Sequence, residues 1–447
     1  MFKKMISAVI ALSMVMGMCS CSESSQTTAD TPQPHSSFNE PVEPNNINAK
    51  LDAVELTANY TFNKAGDDQS CDDKFLSGMN AFSVQLFKNS VSSDLADGKN
   101  TLISPESAAF ALGMTMNGAG GSTLKQMQDV MCGGVDTDTF NRNMNLLISN
   151  AHGGSTDESK LKIANSVWVK DKKGLTINEQ FAQNCKQLYN AEMFKAPFDD
   201  STVAGVNSWV NEKTDKMIPT ILDKLAPNDV MCLVNCVAFD SQWEKQYTDK
   251  QVKKDSKFTN AKGDEVKCTM LSGTENKYIE NDKATGFVKD YKGGKYSFMA
   301  ILPNEDTSVA DYVASMTDSE IADLYKGRTK TDVYTKLPQF KFDYGSEMRD
   351  ILKAMGITDA FSNSADFSKM FTNDDVCINR VIHKTHIELD AKGTKAAAAT
   401  AVTMREKAAA ESRREKTVYL DRPFVFAIMD TASGLPVFIG TVCDPAV

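Results

Sequence analysis

Residues 388–404 read Glu-Leu-Asp-Ala-Lys-Gly-Thr-Lys-Ala-Ala-Ala-Ala-Thr-Ala-Val-Thr-Met, a run of small side chains in which Gly393 is the only glycine. The chain then continues from Arg405 to Lys416 with charged residues and three more alanines. Ala, Met, Arg, Glu and Lys all favour helix, so one interpretation is an exposed helical connector.

Read as a strand, the same segment separates into two faces, because side chains alternate along a strand. Every second residue is uncharged, which gives the set Thr394, Ala396, Ala398, Thr400, Val402 and Met404. The interleaved set contains both charged residues of this stretch, Lys395 and Arg405. It consists of Lys395, Ala397, Ala399, Ala401, Thr403 and Arg405. One buried face and one solvated face are typical of a strand. The sequence therefore predicts a segment with two possible states.

Predicted strands flank this segment on both sides. Before it, Val381–Asp390 places one alternate set of side chains on a single face, namely Val381, His383, Thr385, Ile387 and Leu389. After it, the apolar runs Pro423–Met429 and Leu435–Val442 are separated by Asp430-Thr-Ala-Ser-Gly434, a pattern that predicts a hairpin.

Upstream, helical and strand patterns are mixed along the chain. Met79, Phe82 and Leu86 recur at helical spacing, and so do Met348, Ile351, Leu352 and Met355. Ser104 is a good N-cap for a helix that starts at Pro105, and Gly118, Gly120 and Gly121 are expected to end it. Val230–Phe239 and Tyr296–Leu302 are nearly continuous apolar runs, as in strands covered on both faces. With no internal linker or repeat, residues 70–447 are predicted to form one α+β domain.

The N-terminus has the pattern of a secretory signal. Lys3 and Lys4 precede an apolar run from Met5 to Met18, which is short for a membrane-spanning helix. The sequence Met18-Cys19-Ser20-Cys21 resembles the lipobox of bacterial lipoproteins, although a Leu is usual where Met18 stands. Ser20 suits the cleavage position, so Cys21 is favoured over Cys19 for lipid attachment. A buried N-terminal helix is the alternative. We expect residues 1–20 to be a lipoprotein signal peptide.

Residues 21–69 are predicted to carry the lipidated cysteine and a disordered tether, because Ser, Thr, Pro, Asn and Glu dominate up to about Asn48. The chain has a net charge of −10, and loss of Lys3 and Lys4 with no acid takes the processed chain to −12. This acidity argues against nucleic acid as a partner and against electrostatic attraction to anionic lipid. The lipid group would therefore provide the membrane attachment.

Motifs for catalysis or metal binding are missing. There is no Gly-x-Ser-x-Gly, no His-Glu-x-x-His and no phosphate loop. Eight cysteines other than Cys19 and Cys21 are widely scattered, and Cys232 and Cys236 are predicted to be buried free thiols about 13 Å apart on a strand. His383 and His386 alternate on one strand, so His383 is expected to be a hydrogen-bonded core residue. We predict no enzyme activity, no cofactor and no metal.

Gly393-Thr394-Lys395-Ala396-Ala397-Ala398-Ala399-Thr400 resembles the hinge of inhibitory serpins, and His383–Asp390 resembles the strand that leads into it. The similarity extends over about residues 70–447. It includes Leu337-Pro338-x-Phe340, Met355-Gly356-Ile357 and Arg422-Pro423-Phe424. Its other matches are the shutter and breach residues of the family, which correspond here to Ser104, Ser107, Asn235, Trp243 and His383.

The resemblance implies a serpin fold: a large central mixed or antiparallel sheet, additional sheets, eight or nine helices and an exposed reactive-centre loop at about 391–416. It also implies inhibition of serine proteases as a suicide substrate. A protease cuts the loop, the hinge inserts into the central sheet, and the acyl-linked protease is trapped. The target proteases would be the partners of an otherwise monomeric protein. The uncut fold would be metastable.

The reactive bond is placed by the spacing that the resemblance implies. Counted from Gly393, it falls at Lys407–Ala408, and a basic residue there predicts a trypsin-like target. The stretch up to Arg422 is about five residues longer than in familiar members of the family. The cut therefore has rival positions at Met404, Arg405, Arg413 and Arg414, and Met404 would indicate an elastase-like target. Family inhibitors usually carry Glu where this chain has Ala391 and Lys395.

A non-inhibitory serpin fold that serves as a binding or carrier module is the alternative function, supported by the long, helix-prone loop. The signal sequence and tether together predict lipid-anchored attachment to the extracellular face of a bacterial cell envelope, with release from the cell as the alternative.

Overall fold

The computed structural model of the chain describes residues 10–20, 53–66, 69–153, 155–156, 158–372, 375–394 and 415–446. These residues form nine α-helices, short 3₁₀ turns and two sheets. None of the helices within them is long and apolar enough to cross a membrane.

The helices of the described residues are α1 (Asp73–Ala96), α2 (Pro105–Met116), α3 (Gly121–Cys132), α4 (Thr137–Gly153), α5 (Glu179–Tyr189), α6 (Asp200–Lys213), α7 (Val309–Ser315), α8 (Glu320–Lys326) and α9 (Arg349–Ala354).

The strands of the described residues are β1 (Ile10–Ser20), β2 (Val54–Glu55), β3 (Thr101–Ile103), β4 (Ser159–Lys170), β5 (Glu192–Ala196), β6 (Asp229–Gln242), β7 (Val252–Thr259), β8 (Glu265–Glu280), β9 (Ala284–Asp290), β10 (Tyr296–Pro303), β11 (Thr329–Pro338), β12 (Phe340–Glu347), β13 (Val376–Leu389), β14 (Gly393–Thr394), β15 (Glu415–Tyr419), β16 (Phe424–Asp430) and β17 (Pro436–Val442).

The larger strands of the first sheet, sheet A, run antiparallel in the order β12-β13-β1-β6-β4. The short strands β5 and β2 extend it beyond β4, and β4 with β5 is a parallel pair. β14 is a third partner of β6 and pairs with the end of β6 that β1 does not reach. Sheet A is thus expanded at its centre, where β1 separates β6 from β13.

The second sheet, sheet B, has the order β15-β11-β8-β9-β10-β16-β17-β3, and β7 also pairs with β8. The hairpin β16–β17 closes through the turn after Asp430, where the N–H of Gly434 donates to the carbonyl of Asp430 (2.8 Å). Gly434 has a φ of 69°, a left-handed conformation that favours glycine.

The main core lies between the two sheets and surrounds helix α2. Every residue of this helix from Pro105 to Met116 is buried, as expected for a helix without a polar face. The Ser104 hydroxyl caps it by accepting from the N–H of Ser107 (3.2 Å), and Pro105 occupies the first turn. The helix packs against β6, β1 and β17. A smaller core beneath α6 covers the opposite face of sheet A with residues such as Trp168 and Trp209.

The predicted helix faces lie in α1 and α9, and the predicted apolar strands lie in β6, β10, β16 and β17. Two local expectations were wrong. Helix α2 ends at Met116, just before Gly118 as expected, but Gly121 begins the next helix, α3, instead of ending α2. His152, expected in a loop, belongs to the last turn of α4, where its Nε2 contacts the Ile163 carbonyl (3.2 Å).

Candidate functional site

The hinge begins as a strand of sheet A. Gly393 lies opposite Gln242 and Thr394 opposite Ser241, so both residues of β14 pair with the end of β6. Gly393 has a φ of 152°, and a Cβ at this position would lie 2.3 Å from the carbonyl oxygen of Ser241. A side chain is therefore excluded here by both conformation and space.

The turn before the hinge is fixed by hydrogen bonds. The Asp390 carboxylate accepts from the N–H groups of Lys392 (2.7 Å) and Gly393 (3.2 Å). Burial raises the pKa of Asp390 above its usual range, and these N–H donors act in the opposite direction. The indole N–H of Trp243 donates to the Asp390 carbonyl (3.0 Å), and the Trp243 backbone N–H donates to the Lys392 carbonyl (2.9 Å). Trp243, predicted for the breach, thus holds the hinge turn to sheet A.

Thr394 is fully buried, and its side chain lies against Tyr291. The two hydroxyl oxygens are 2.9 Å apart, within hydrogen-bonding distance. The Tyr291 ring stacks on Trp243 with a centroid distance of 4.4 Å and an interplanar angle of 13°. Because Thr394 is fully buried against Tyr291, a larger side chain here would have to displace its neighbours.

A buried ion pair, Lys289 with Glu275, lies next to the Trp243 ring of this aromatic pair. The Lys289 ammonium lies 2.7 Å from a carboxylate oxygen of Glu275 and also donates to the Lys245 carbonyl (3.0 Å). It lies 4.5 Å from the ring centroid of Tyr247 and 5.3 Å from that of Trp243. No pattern in the sequence predicted this pair. Its only signal was a lysine directly after the apolar residues Phe287 and Val288 of β9.

The predicted shutter residues meet at the start of α2. The N–H of Ser104 donates to Nε2 of His383 on β13 (3.1 Å), and the Ser107 hydroxyl donates to the side-chain oxygen of Asn235 on β6. Helix α2 therefore bonds to both strands that border β1. All four of these side chains are buried.

The hydrogen-bond network continues beyond the predicted residues. The amide of Asn235 donates to Asn165 (2.6 Å), and the amide of Asn165 donates to the Tyr189 carbonyl (2.7 Å). The Tyr189 hydroxyl in turn donates to Asn141 (2.6 Å). These residues could not be predicted from the sequence, because they are far apart in the chain and none lies in a recognisable motif.

His383 is a neutral core histidine. Its Nε2 accepts a hydrogen bond, which places the proton on Nδ1, and Nδ1 has no partner among the described residues. Burial lowers the pKa of His383 to about 3. His386 points to the other face of the strand and lies 2.6 Å from Asp343, so the two histidines do not converge on one site.

The slot between β6 and β13 is filled by β1. Met14 lies opposite Asn235 on one side and opposite His383 on the other, so β1 passes between the two shutter strands. The segment expected to be a signal peptide thus forms a central strand of sheet A in the full chain, and the helical alternative considered for it is wrong. Its predicted cleavage remains a prediction.

Several predicted site residues lie outside the described part of the chain. They are the hinge residues Lys395, Ala396, Ala397, Ala398, Ala399 and Thr400, the candidate reactive-bond residues Met404, Arg405, Lys407, Ala408, Arg413 and Arg414, and the lipid-attachment residue Cys21. On the far side of this gap, Glu415 begins β15, which runs parallel to β11. The predicted loop therefore ends in a strand of sheet B.

The described cysteines form no disulfide, and no group of three or more metal-ligating side chains occurs among the described residues. Cys232 and Cys236 are buried in β6, where burial raises the pKa of both thiols, to about 12 for Cys232. Cys19 on β1 lies directly opposite Cys377 on β13.

Comparison with known proteins identifies the class that this fold and site define. Residues 77–445 match the family described as serpin (serine protease inhibitor), so the chain belongs to the serpin family. An uncharacterised serpin-like protein of Thermococcus kodakarensis is 27% identical over 87% of this chain and 89% of its own length.

Solved structures show the same fold. The thermophilic serpin tengpin in its native state is 39% identical, with a TM-score of 0.78 over 88% of this chain and 99% of tengpin. Human thyroxine-binding globulin, solved with its hormone, is 23% identical, with a TM-score of 0.71 over 83% of this chain and 99% of that protein. The second likeness concerns the fold alone.

Proposed function

We propose that this serpin inhibits serine proteases as a suicide substrate. The observation that carries the proposal is the hinge itself. β14 already pairs with β6, Gly393 leaves no room for a side chain, and Thr394 is buried against Tyr291. The intact chain thus has the first two residues of an inserted strand in place.

The register of β14 predicts the course of the remaining insertion. Because Thr394 lies opposite Ser241, an antiparallel continuation places Ala396 opposite Phe239, and every even-numbered residue then faces the core with Thr394. That face is the uncharged set from Thr394 to Met404. Lys395 and Arg405 fall on the other face.

The length of β6 supports a reactive bond after Lys407. β6 has 14 residues, from Asp229 to Gln242, so a full antiparallel partner that starts at Gly393 ends at Glu406. Insertion would carry Lys407 about 45 Å to the far end of the strand. A cut after Arg413 or Arg414 would leave several residues of slack beyond β6, so those rivals are less suitable for pulling on a bound protease.

In the proposed mechanism, the catalytic serine of the protease attacks the Lys407 carbonyl, the bond to Ala408 breaks, and Ala408 becomes a new N-terminus. The acyl-enzyme ester at Lys407 stays intact while the hinge side inserts next to β6. The displacement distorts the protease before water can hydrolyse the ester. The nucleophile belongs to the protease, so the serpin itself is not a catalyst. Lys407 favours a trypsin-like target, and Met404 would favour an elastase-like one.

The expectations for the N-terminus belong to the same proposal. Residues 1–20 would be removed as a bacterial signal peptide and Cys21 would carry lipid, so that a monomeric inhibitor is held on the extracellular face of the cell envelope. Removal of residues 1–20 also removes β1 from the slot between β6 and β13, which loop insertion requires to be empty.

A carrier function is the second candidate, because a cleft of about 610 Å³ opens among β7, β8, β12 and β13. Its lining combines three lysines with three acidic residues and two apolar ones, namely Lys254, Lys267, Lys341, Asp255, Glu388, Asp390, Phe340 and Leu389. The structure of thyroxine-binding globulin with its hormone is an example of a serpin fold that holds a small molecule.

The test is to mix residues 22–447 with trypsin and with elastase and to separate the products on denaturing gels. We expect a band near the summed mass that survives boiling, and a released peptide whose mass places the cut after Lys407. Clean cleavage by both enzymes with no such band, and no rise in melting temperature of the cut chain, would favour the carrier function.

A further inference from the structure

β1 occupies the path that the proposed loop strand would take. Both run antiparallel to β6, and β1 begins where β14 stops, since Ile10 lies opposite Phe239 and Thr394 opposite Ser241. A loop strand continued from Thr394 would place Ala396 opposite Phe239, at the position of Ile10. In the same register Thr400, Val402 and Met404 would take the positions of Met14, Met16 and Met18.

The packing of β1 shows that the slot closes around it on both faces. Met14, Met16 and Met18 are fully buried in the main core, and the Thr115 hydroxyl of α2 contacts the sulfur of Met16 (3.3 Å). Val15 is buried on the opposite face, in the core beneath α6. The unbranched methionine side chains suit a site shaped for other residues, because they adapt to irregular space.

A thiol pair joins β1 to the bordering strand. Cys19 and Cys377 lie directly opposite each other, with their sulfur atoms 3.6 Å apart, and both residues are partly exposed. The contact with Cys377 lowers the pKa of Cys19 to about 7, so a substantial fraction of Cys19 is thiolate at neutral pH. The thiolate is the form that reacts with disulfides.

We propose that residues 10–20 act as an internal plug in the unprocessed chain: they fill the strand position between β6 and β13, prevent insertion beyond Thr394, and are latched there by a disulfide between Cys19 and Cys377. The blocking effect rests on the proposed inhibitory function, whereas the occupancy and the latch do not. Cleavage before Cys21 cuts the plug from the rest of the chain, and two molecules of a small thiol, which leave as a disulfide, reduce the Cys19–Cys377 bond and free it. Inhibition therefore begins only after both processing and reduction.

The latch forms by thiol–disulfide exchange with a small disulfide oxidant such as oxidised glutathione. The Cys19 thiolate attacks one sulfur of the oxidant, forms a mixed disulfide and releases one thiol. The Cys377 thiolate then attacks the Cys19 sulfur and displaces the second thiol. Overall, two protein thiols lose two electrons and two protons, and the oxidant becomes two thiols.

The test uses the full 447-residue chain with three substitutions. Met16→Asp places a carboxylate at a fully buried position of β1 and should expel the strand while leaving the serpin domain unchanged. Met5→Asp is the matched control, because it makes the same change in the N-terminal segment before β1. Cys377→Ser removes the latch partner.

Each protein is first incubated with oxidised glutathione and digested without reduction. We expect a peptide pair joined through Cys19 and Cys377 in the wild type and in Met5→Asp, and loss of at least nine-tenths of that pair in Met16→Asp and Cys377→Ser. Absence of the pair from the wild type, or its persistence in Met16→Asp, would overturn the plug.

The same oxidised proteins are then mixed with trypsin. Met16→Asp should form at least tenfold more boiling-resistant complex than the wild type or Met5→Asp. Equal complex formation by the wild type and Met16→Asp would refute the blocking role while leaving the inhibitory function intact. If no variant forms a complex and the cross-link behaves as expected, the inhibitory function fails and the occupancy of the slot by β1 stands.

Discussion

Replacement of Thr394 by Arg should convert the inhibitor into a substrate. Thr394 is fully buried against Tyr291, where its hydroxyl lies 2.9 Å from the Tyr291 oxygen. In the intact chain the Arg side chain can escape to solvent if the two residues of β14 separate from β6. Full insertion offers no such escape, so the guanidinium must enter a packed core without a partner.

The size of the effect follows from this burial. Overpacking costs about 1–3 kcal/mol, and the unpaired polar group on Tyr291 adds a similar amount. A barrier raised by about 3 kcal/mol slows insertion by roughly 100-fold. Hydrolysis of the acyl-enzyme is unchanged, so most cut molecules are released before the protease is trapped.

The assay is a titration of trypsin with residues 22–447 that measures how many inhibitor molecules are consumed for each protease molecule inactivated. The number should rise from about one toward ~100 in Thr394→Arg. Lys395→Arg is the matched control, since the alternation places this neighbouring residue on the solvated face, and it should inhibit like the wild type. An unchanged titration for Thr394→Arg would refute the insertion mechanism.

Three further predictions concern the residues around the hinge and core. Gly393→Ala places a methyl group against a carbonyl oxygen of β6 and should weaken the pairing of β14 with β6 by about 1–3 kcal/mol. The expected result is faster amide hydrogen exchange in the hinge, and exchange like that of the wild type would contradict the role of this glycine. Glu275→Gln leaves the Lys289 ammonium without its carboxylate and should lower stability in urea by about 3–5 kcal/mol, whereas a loss below ~1 kcal/mol would show that the pair is dispensable. Burial, reinforced by the charge of Asp430, raises the pKa of Glu106 to about 8. The contribution of Glu106 to the free energy of unfolding is therefore complete below its unfolded pKa near 4.5. It is lost as the pH rises toward 8, by up to about 1.4 kcal/mol per pH unit. Urea unfolding from pH 5 to 8 should therefore show that Glu106→Gln gains stability relative to the wild type as the pH rises, and a pH-independent difference would exclude this role.

Local patterns in the sequence were sufficient to predict much of the fold. The cap at Ser104, the alternation along β13 and the apolar run of β6 each depend on residues that are close in the chain. At the hinge, the neighbouring residues Gly393 and Thr394 are described: Gly393 leaves no room for a side chain and Thr394 is buried, while the role of the hinge in inhibition stays a prediction.

The position of residues 10–20 could not be predicted in this way. A short, largely apolar run suits the core of a signal sequence and equally suits a strand covered on both faces. Only the slot between β6 and β13 distinguishes the two, and these strands are more than 100 residues apart in the chain. The contact of Cys19 with Cys377 could not be predicted for the same reason.

Sequence patterns also did not predict which residues pair with buried polar side chains. Asn165 on β4 bonds to Asn235 on β6, and Lys289 on β9 pairs with Glu275 on β8. A polar residue in an apolar strand indicates that some partner exists, because a buried polar group without one is costly. It does not indicate which distant residue that partner is.

The central claim is that the cut loop inserts between β6 and β13, and the most direct measurement is the melting temperature of residues 22–447 before and after the loop is cut. Insertion would add a strand of about 14 residues to sheet A, with its ladder of backbone hydrogen bonds and its buried face. We predict that the cut chain melts more than ~10 °C higher than the intact chain. A cut chain that melts at the same temperature or lower would contradict insertion, and with it the proposed mechanism of inhibition.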